Sequence, residues 1–391
     1  MNKITKLIIL LIQIAFLNNV SSQTFQRNLF YDGNNRQYVL HIPANYTGSS
    51  NVPLLFVFHG GGGIANQFMA QTSDMRPIAD TAGFILVYPQ AAVDPTDGSN
   101  SWLHKSPTTH NDVFFIETII DSLSNEYLID NNRVYACGYS EGGIFSYELG
   151  CRLNNRIAAF ASVSGSMLTD SFRSSYYNLP ICSPAHPTAV LLIPGTADSS
   201  PHSSYNGLAP YYMSVDEITT YWSSYNNTNP NPSIFQVSNT NPNDGSTVER
   251  RIWENGTNCV TTQELKVIGG GHDWPGSFGN MDIDASSEIW NFVSQYNMNG
   301  LISCSTNSIS ETQELAQIKA YPNPVINNEL KIELNNYNLL EIRTIDGRIV
   351  WTNSSLTASV SYAINTSNWN AGMYLIYQNK QQVKKLLIVN N

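Results

Sequence analysis

Charge is scarce in this chain. Only 13% of its 391 residues are Asp, Glu, Lys or Arg, and 20 basic against 30 acidic side chains leave a net charge of −10. No basic run occurs, and because phosphate backbones are held by clustered Lys and Arg, nucleic-acid binding is excluded. No CxxC pair or Cys/His cluster has zinc spacing, so no metal is expected. GxGxxG and GK[ST] are both missing, which removes the usual phosphate-cradling loops. Beyond the N-terminus no segment is long and apolar enough to cross a bilayer, and no internal repeat is evident.

What is present suits a globular chain with a sizeable core. Apolar residues make up 42%, and the length allows one large domain with a small one or two of medium size. The start, MNKITKLIILLIQIAFLNNVSSQ, places Lys3 and Lys6 before an apolar run from Leu7 to Leu17, then small Val20 and Ser22 before Gln23. That run is too short for a lasting anchor and apolar all round, so residues 1–22 read as a signal peptide that is removed. Export permits disulfides. Five cysteines follow, Cys137, Cys151, Cys182, Cys259 and Cys304, and an odd count leaves at least one thiol unpaired. Cys137 lies in an apolar run and reads as a small buried hydrophobe; the residues alone leave the pairing of the other four open.

Short β-rich runs alternate with helical periods. The segments 52–60, 84–90, 133–140, 158–165, 189–195 and 264–270 read as strands buried on both faces. Helices are expected over 111–123, where Val113, Ile116, Ile120 and Leu123 share a face, and over 141–153, 215–225 and 285–296. This alternation implies a mostly parallel sheet with helices on both faces, an α/β fold. After about residue 300 the composition turns polar through LISCSTNSISETQELAQ. Short alternating segments follow YPNPV, separated by turns at Asp346-Gly347 and Asn370-Ala371-Gly372, and imply a small all-β sandwich.

GYSEGG, residues 138–143, follows the strand RVYAC and opens a helical segment. A serine hydroxyl attacks only with a base in reach, and a tight strand-to-helix turn flanked by glycines is one way to expose it. Gly138, Ser140 and Gly142 supply that pattern, so Ser140 is the candidate nucleophile. HGGGG, residues 59–63, ends the strand before it. Backbone N–H groups of Glu141 and of Gly61 or Gly62 are the expected oxyanion donors, with His59 anchoring the loop and not serving as base. The acid and base should follow on loops after later strands. Asp198 ends AVLLIPGTAD, and His272 lies just past the last strand in ELKVIGGGHDWPG. His202 is the alternative base; Asp273 and Asp282 are rival acids, though neither ends a strand. His41, His104, His110 and His186 read as surface or packed residues.

These motifs, with Trp102 and AFASVSG between them, resemble in order the polyhydroxybutyrate depolymerase-like and feruloyl esterase group of the α/β-hydrolases (carbohydrate esterase family one), over about residues 30 to 297. The resemblance implies an esterase domain over 23–300 and the triad Ser140, Asp198 and His272, with no metal or cofactor. It also implies a disulfide between Cys151 and Cys182. A further family cysteine is absent near Tyr225-Asn226-Asn227, which leaves Cys259 without its usual partner and Cys304 as the candidate substitute. After a linker over 301–318, residues 319–391 resemble the type IX secretion sorting domain. YPNPV, Asp346-Gly347-Arg348, Asn370 to Tyr374 and KKLLIV carry that likeness. It implies the type IX machinery as partner and a secreted or surface-attached product; a carbohydrate-binding or spacer module is the alternative.

The expected activity is ester hydrolysis, on feruloyl or acetyl groups of plant xylan. Polyhydroxybutyrate or short-chain esters are the alternative substrates. Trp102 and Trp274 are expected to flank the site and stack on a feruloyl ring or sugar, unless they only pack. A catalytically inert surface-binding protein and a peptidase are the other readings. The first is weakened by the complete triad, the second by the lack of a recognisable propeller or cap.

Overall fold

The computed structural model describes residues 22–102, 111–304, 319–325, 327–334, 339–344, 348–354, 360–378 and 381–388. The expected signal peptide up to residue 21, His104 and His110, the polar stretch 305–318 and the Asp346-Gly347 turn lie outside them. The chain divides into two compact units, one ending at Thr306 and one beginning at Asn307.

The first unit is built on a ten-stranded sheet. Its strands are β1 (Gln23–Tyr31), β2 (Asn34–Ile42), β3 (Val52–Phe58), β4 (Ile85–Pro89), β5 (Ile129–Tyr139), β6 (Ala159–Val163), β7 (Ala189–Ile193), β8 (Ser233–Gln236), β9 (Thr247–Trp253) and β10 (Thr262–Ile268). They lie in the order β1-β2-β4-β3-β5-β6-β7-β10-β9-β8. The six central strands, β4 through β10, run parallel. They are the six runs expected from the sequence, since only strands covered on both faces need continuous apolar residues. The flanking pairs β1–β2 and β8–β9 run antiparallel and form the edges. One face of such a strand meets water, so β8 reads SIFQ and is mostly exposed, a pattern too weak to stand out.

Successive side chains on a strand point to opposite faces, and the core divides accordingly. From β3, Leu54, Phe56 and Phe58 join one cluster with α3 (Asp112–Glu126), α4 (Glu141–Arg152) and α6 (Val215–Tyr225). Leu55 and Val57 join the other, with α1 (Ala65–Gln71), α2 (Arg76–Ala82) and α7 (Ala285–Val293). In α3 the apolar stripe Val113, Ile116, Ile119, Ile120 and Leu123 is fully buried; each such side chain contributes roughly 1.5–3 kcal/mol. A capping box closes the first turn of α6, where Ser214 accepts from the Glu217 N–H and the Glu217 carboxylate from Ser214. Three helices of seven residues each, α1, α2 and α5 (Asp170–Tyr176), were invisible to periodicity because two turns hold too few apolar positions to reveal a repeat.

The stretch from α5 to Cys182, six residues past its end, is fastened to α4 twice. Cys151 forms a disulfide with Cys182, and the buried Arg173 guanidinium pairs with the buried Glu148 carboxylate. A second disulfide joins Cys259 to Cys304, and the Cys137 thiol stays free and buried, its pKa pushed up by desolvation.

The second unit has two antiparallel sheets. One orders β11 (Lys319–Tyr321), β12 (Glu329–Leu334) and β15 (Val360–Asn365); the other orders β14 (Ile349–Asn353), β13 (Leu340–Thr344), β16 (Gly372–Gln378) and β17 (Gln381–Ile388). Leu330, Ile332 and Ile364 from the first share one core with Leu340, Ile342 and Ile376 from the second, which makes it a sandwich.

Burial makes the α4–α5 ion pair sensitive to loss of one partner. Arg173→Met leaves Glu148 charged without its main cation, and urea unfolding should show a loss of about 3–5 kcal/mol. The double change Glu148→Leu/Arg173→Met should lose clearly less. Equal losses would show that packing, and not charge, carries this contact.

Candidate active site

The site begins with a backbone conformation that costs energy. Strand β5 ends at Tyr139, α4 begins at Glu141, and Ser140 between them has φ 54° and ψ −118°. Non-glycine residues held in such regions cost on the order of 1–3 kcal/mol. The turn also brings two backbones close. A Cβ at Gly138 would lie 2.3 Å from the carbonyl oxygen of Gly142, and one at Gly142 would lie 2.4 Å from that of Phe58. Hence the glycines on either side of the serine. The Ser140 N–H donates to the Val163 carbonyl at 2.9 Å, tying the turn to β6.

Two further loops meet this turn because their strands are neighbours. β7 and β10 are adjacent and parallel, so the chain leaves both at one end of the sheet. The loops are sewn together by Thr196 N–H to Val267 O at 2.9 Å and Ala197 N–H to Gly270 O at 2.8 Å. Asp198 rides on the first loop and His272 on the second. The Tyr139 hydroxyl donates to the His272 carbonyl at 2.7 Å, and the Ser164 hydroxyl to the Asp273 carbonyl at 2.9 Å. These bonds draw the histidine loop over the ends of β5 and β6.

The three side chains then fall in line. His272 Nε2 lies 2.8 Å from Ser140 Oγ, and its Nδ1 lies 2.8 Å from Asp198 Oδ2. The carboxylate is fully buried while the imidazole is 31% exposed, so charge sits inside and the reactive end faces out. The Ser200 N–H donates to Asp198 Oδ1 at 2.8 Å, and the Ser203 hydroxyl to Oδ2 at 2.7 Å. Ser203 carried no sequence signal, since a hydroxyl five residues past an acid has no diagnostic spacing.

The rival residues are engaged elsewhere. Asp273 accepts the Gly271 N–H, and Asp282 accepts those of Thr240 and Asn241. The His202 ring packs edge-on to Tyr212, with centroids 5.1 Å apart. His59 is a buried anchor. Its Nδ1–H donates to the Gly60 carbonyl at 2.7 Å and its Nε2 accepts the Ala91 N–H at 3.2 Å. Only the neutral ring can do both, and burial lowers its pKa to about 4.

Two expectations about the surroundings are corrected. Trp102 and Trp274 do not flank an open site, being 0% and 1% exposed. Trp102 stacks on Phe145 with centroids 4.7 Å apart, and its indole N–H donates to the His59 carbonyl. Trp274 packs edge-on to Phe68 and points its N–H at Ser286. Both have a large apolar body to bury and found a partner for the one polar atom. Among the oxyanion candidates, the Gly62 N–H is taken by the Asn100 carbonyl at 2.8 Å, which removes it as a donor. Glu141 heads α4, its carboxylate accepting from the Ser101 hydroxyl and the Trp102 N–H. An exposed aromatic patch forms instead where α5 meets the loop that follows Asp198. Ile144, one turn past Ser140, packs with Leu168 and Tyr212, and Phe172 and Tyr177 lean on them. Tyr176 and Tyr211 extend this patch outward, each stacked or edge-on to Phe172.

Among the described residues no group of three His, Cys, Asp or Glu side chains could hold a metal ion, and no helix is long and apolar enough to cross a membrane. A mostly parallel sheet, covered on both faces, with a serine raised on a strained strand-to-helix turn defines an α/β-hydrolase fold. Residues 36–220 match the esterase PHB depolymerase family, and residues 319–390 match the secretion system C-terminal sorting domain. The first unit thus has an α/β-hydrolase fold in which residues 36–220 match that esterase family, and the C-terminal sorting domain indicates secretion or cell-surface attachment. It is 27% identical over 281 residues to a bifunctional acetylxylan esterase/xylanase of Neocallimastix patriciarum, covering 72% of this chain and 36% of that one. It is 28% identical over 158 residues to feruloyl esterase D of Neurospora crassa, covering 38% and 51%. This chain therefore matches about a third to a half of the length of these two relatives. Among solved structures, an acetyl xylan esterase from Aspergillus awamori is similar at a TM-score of 0.49 and 14% identity, over 70% of this chain and 99% of that one.

The His59 shift yields a stability prediction. The folded value near 4 lies below an unfolded imidazole near 6.5, so the unfolded chain takes up a proton first as pH falls. The stabilisation is complete above 6.5 and is lost between there and 4, by on the order of 3 kcal/mol. Urea midpoints measured at pH 7, 5.5 and 4 should fall in that window, and His59→Gln should flatten the fall.

Proposed function

We propose that this chain is a secreted serine carboxylic-ester hydrolase that works through an acyl-enzyme. The observation that carries the reading is the unbroken line from Ser140 Oγ through His272 to buried Asp198, each link 2.8 Å. Ser140 attacks the ester carbonyl while His272 Nε2 takes its proton. The Glu141 N–H, at the start of α4 where unpaired amides and the helix dipole favour negative charge, and the Gly61 N–H hold the oxyanion. His272 then gives the proton to the departing alcohol, and water repeats the sequence to release the acid. Asp198 holds the ring with Nδ1 protonated and stabilises the imidazolium as it forms.

For substrate, we propose acetyl or feruloyl esters on plant xylan. Two relatives named for acetylxylan and feruloyl esters support this, as does a sorting domain that would place the enzyme outside the cell with the polymer. The type IX machinery is the proposed export partner. Tyr176 and Tyr211 take over the ring-stacking role once expected of Trp102 and Trp274. The family description favours a second reading, a polyhydroxybutyrate depolymerase, which would use the same three residues.

The test is hydrolysis of p-nitrophenyl acetate by purified Ser140→Ala protein. A loss of at least about a thousandfold in kcat is expected; wild-type rates would overturn the proposal. The base must be neutral to accept the serine proton, so wild-type activity should fall in acid. Methyl ferulate, acetylated xylan and polyhydroxybutyrate, assayed side by side, separate the two substrate readings.

A further inference from the structure

The Ser203 side chain contacts two members of the line at once. Ser203 Oγ lies 2.7 Å from Asp198 Oδ2 and 2.9 Å from His272 Nδ1, and the residue is 3% exposed. We infer that Ser203 is a positioning residue that locks the Asp198 carboxylate and tunes the proton affinity of the His272–Asp198 pair. The inference rests on the triad reading above.

The direction of its hydrogen follows from its neighbours. With Asp198 2.8 Å from Nδ1, that nitrogen carries the ring proton. The Ser203 proton therefore goes to Asp198 Oδ2, and its oxygen is left as a second acceptor beside the ring N–H. The carboxylate is then pinned at both oxygens without help from the histidine, Oδ1 by the Ser200 N–H and Oδ2 by Ser203. A buried carboxylate held this way cannot rotate, and His272 meets it in one orientation. Ser203 is itself held where its N–H donates to the Ser200 carbonyl.

The bond has a second consequence. A donor to a carboxylate is worth more while that carboxylate faces a neutral ring than when an imidazolium already neutralises it. The oxygen beside the ring N–H acts in the opposite sense but shares that proton with Asp198 and lies farther off, at 2.9 against 2.7 Å, so removing the hydroxyl destabilises the resting pair more than the protonated one. The pair should take up a proton at higher pH. The other titratable groups around it are Tyr139 at the end of β5, Glu141 at the head of α4, Asp273 beside His272 and His202 beside Ser203. All four are unchanged by a substitution at Ser203, so the comparison isolates the hydroxyl.

The experiment compares wild type, Ser203→Ala, Ser203→Thr and Ser140→Ala on p-nitrophenyl acetate between pH 5 and 9, with melting temperatures. Ser203→Ala should lower kcat about tenfold with KM within twofold, because an Asp198 carboxylate freed at Oδ2 no longer holds His272 in line with Ser140. It should also move the acid limb of kcat/KM upward by about half a pH unit, with melting within a few degrees of wild type. Ser203→Thr keeps the donor and should recover most of both effects. A Ser203→Ala profile superposable on wild type, a downward shift of the acid limb, or a loss tracking only the melting temperature would overturn the inference. Ser140→Ala separates the two claims. If it stays active, the triad reading fails; if it is inactive and Ser203→Ala behaves as wild type, only the role of Ser203 fails.

Discussion

The whole site depends on one strained residue. Ser140 holds positive φ because the backbone of β5 must reverse into α4 within a single residue, and the structure permits this only where Gly138 and Gly142 let two chains pass within contact. The strain is repaid by the packing of α4, whose Phe145, Tyr147 and Leu149 are buried against the sheet. The same turn exposes a hydroxyl and leads directly into the N-terminus of a helix. Nucleophile and anion stabilisation therefore arise from one local geometry.

The other partners are positioned by topology. In a parallel sheet every strand delivers its following loop to the same edge, so residues far apart in the chain converge without any long-range design beyond strand order. Asp198 and His272 are 74 positions apart, yet their loops are bonded backbone to backbone because β7 and β10 are adjacent. The imidazole is left about a third in solvent and the carboxylate wholly buried, which suits a ring that must exchange protons and an acid that must not.

Much of this was legible in the sequence, for identifiable reasons. The six central strands are apolar on both faces and follow one another with helices between, so periodicity reveals them. Glycine-flanked Ser140 and the strand-end placement of Asp198 and His272 are local signals of the same kind. What escaped notice depends on contacts with distant segments. Trp102 and Trp274 are large and lie near the motifs, but sequence does not say whether an indole faces solvent or core. The Gly62 N–H is spent on Asn100, a partner 38 positions away. Ser203 lies in an irregular loop and Phe172 in the seven-residue α5, where no repeat is long enough to tell one side chain's direction from its neighbour's.

Hydrolysis by this route requires Ser140 to be an activated nucleophile. Intact-mass spectrometry after brief exposure to a fluorophosphonate, followed by peptide mapping, tests this most directly. The account predicts one adduct per chain, on Ser140, forming rapidly in the wild type and far more slowly when His272 is replaced by alanine. An unmodified Ser140, or an adduct forming equally fast without the histidine, would contradict it.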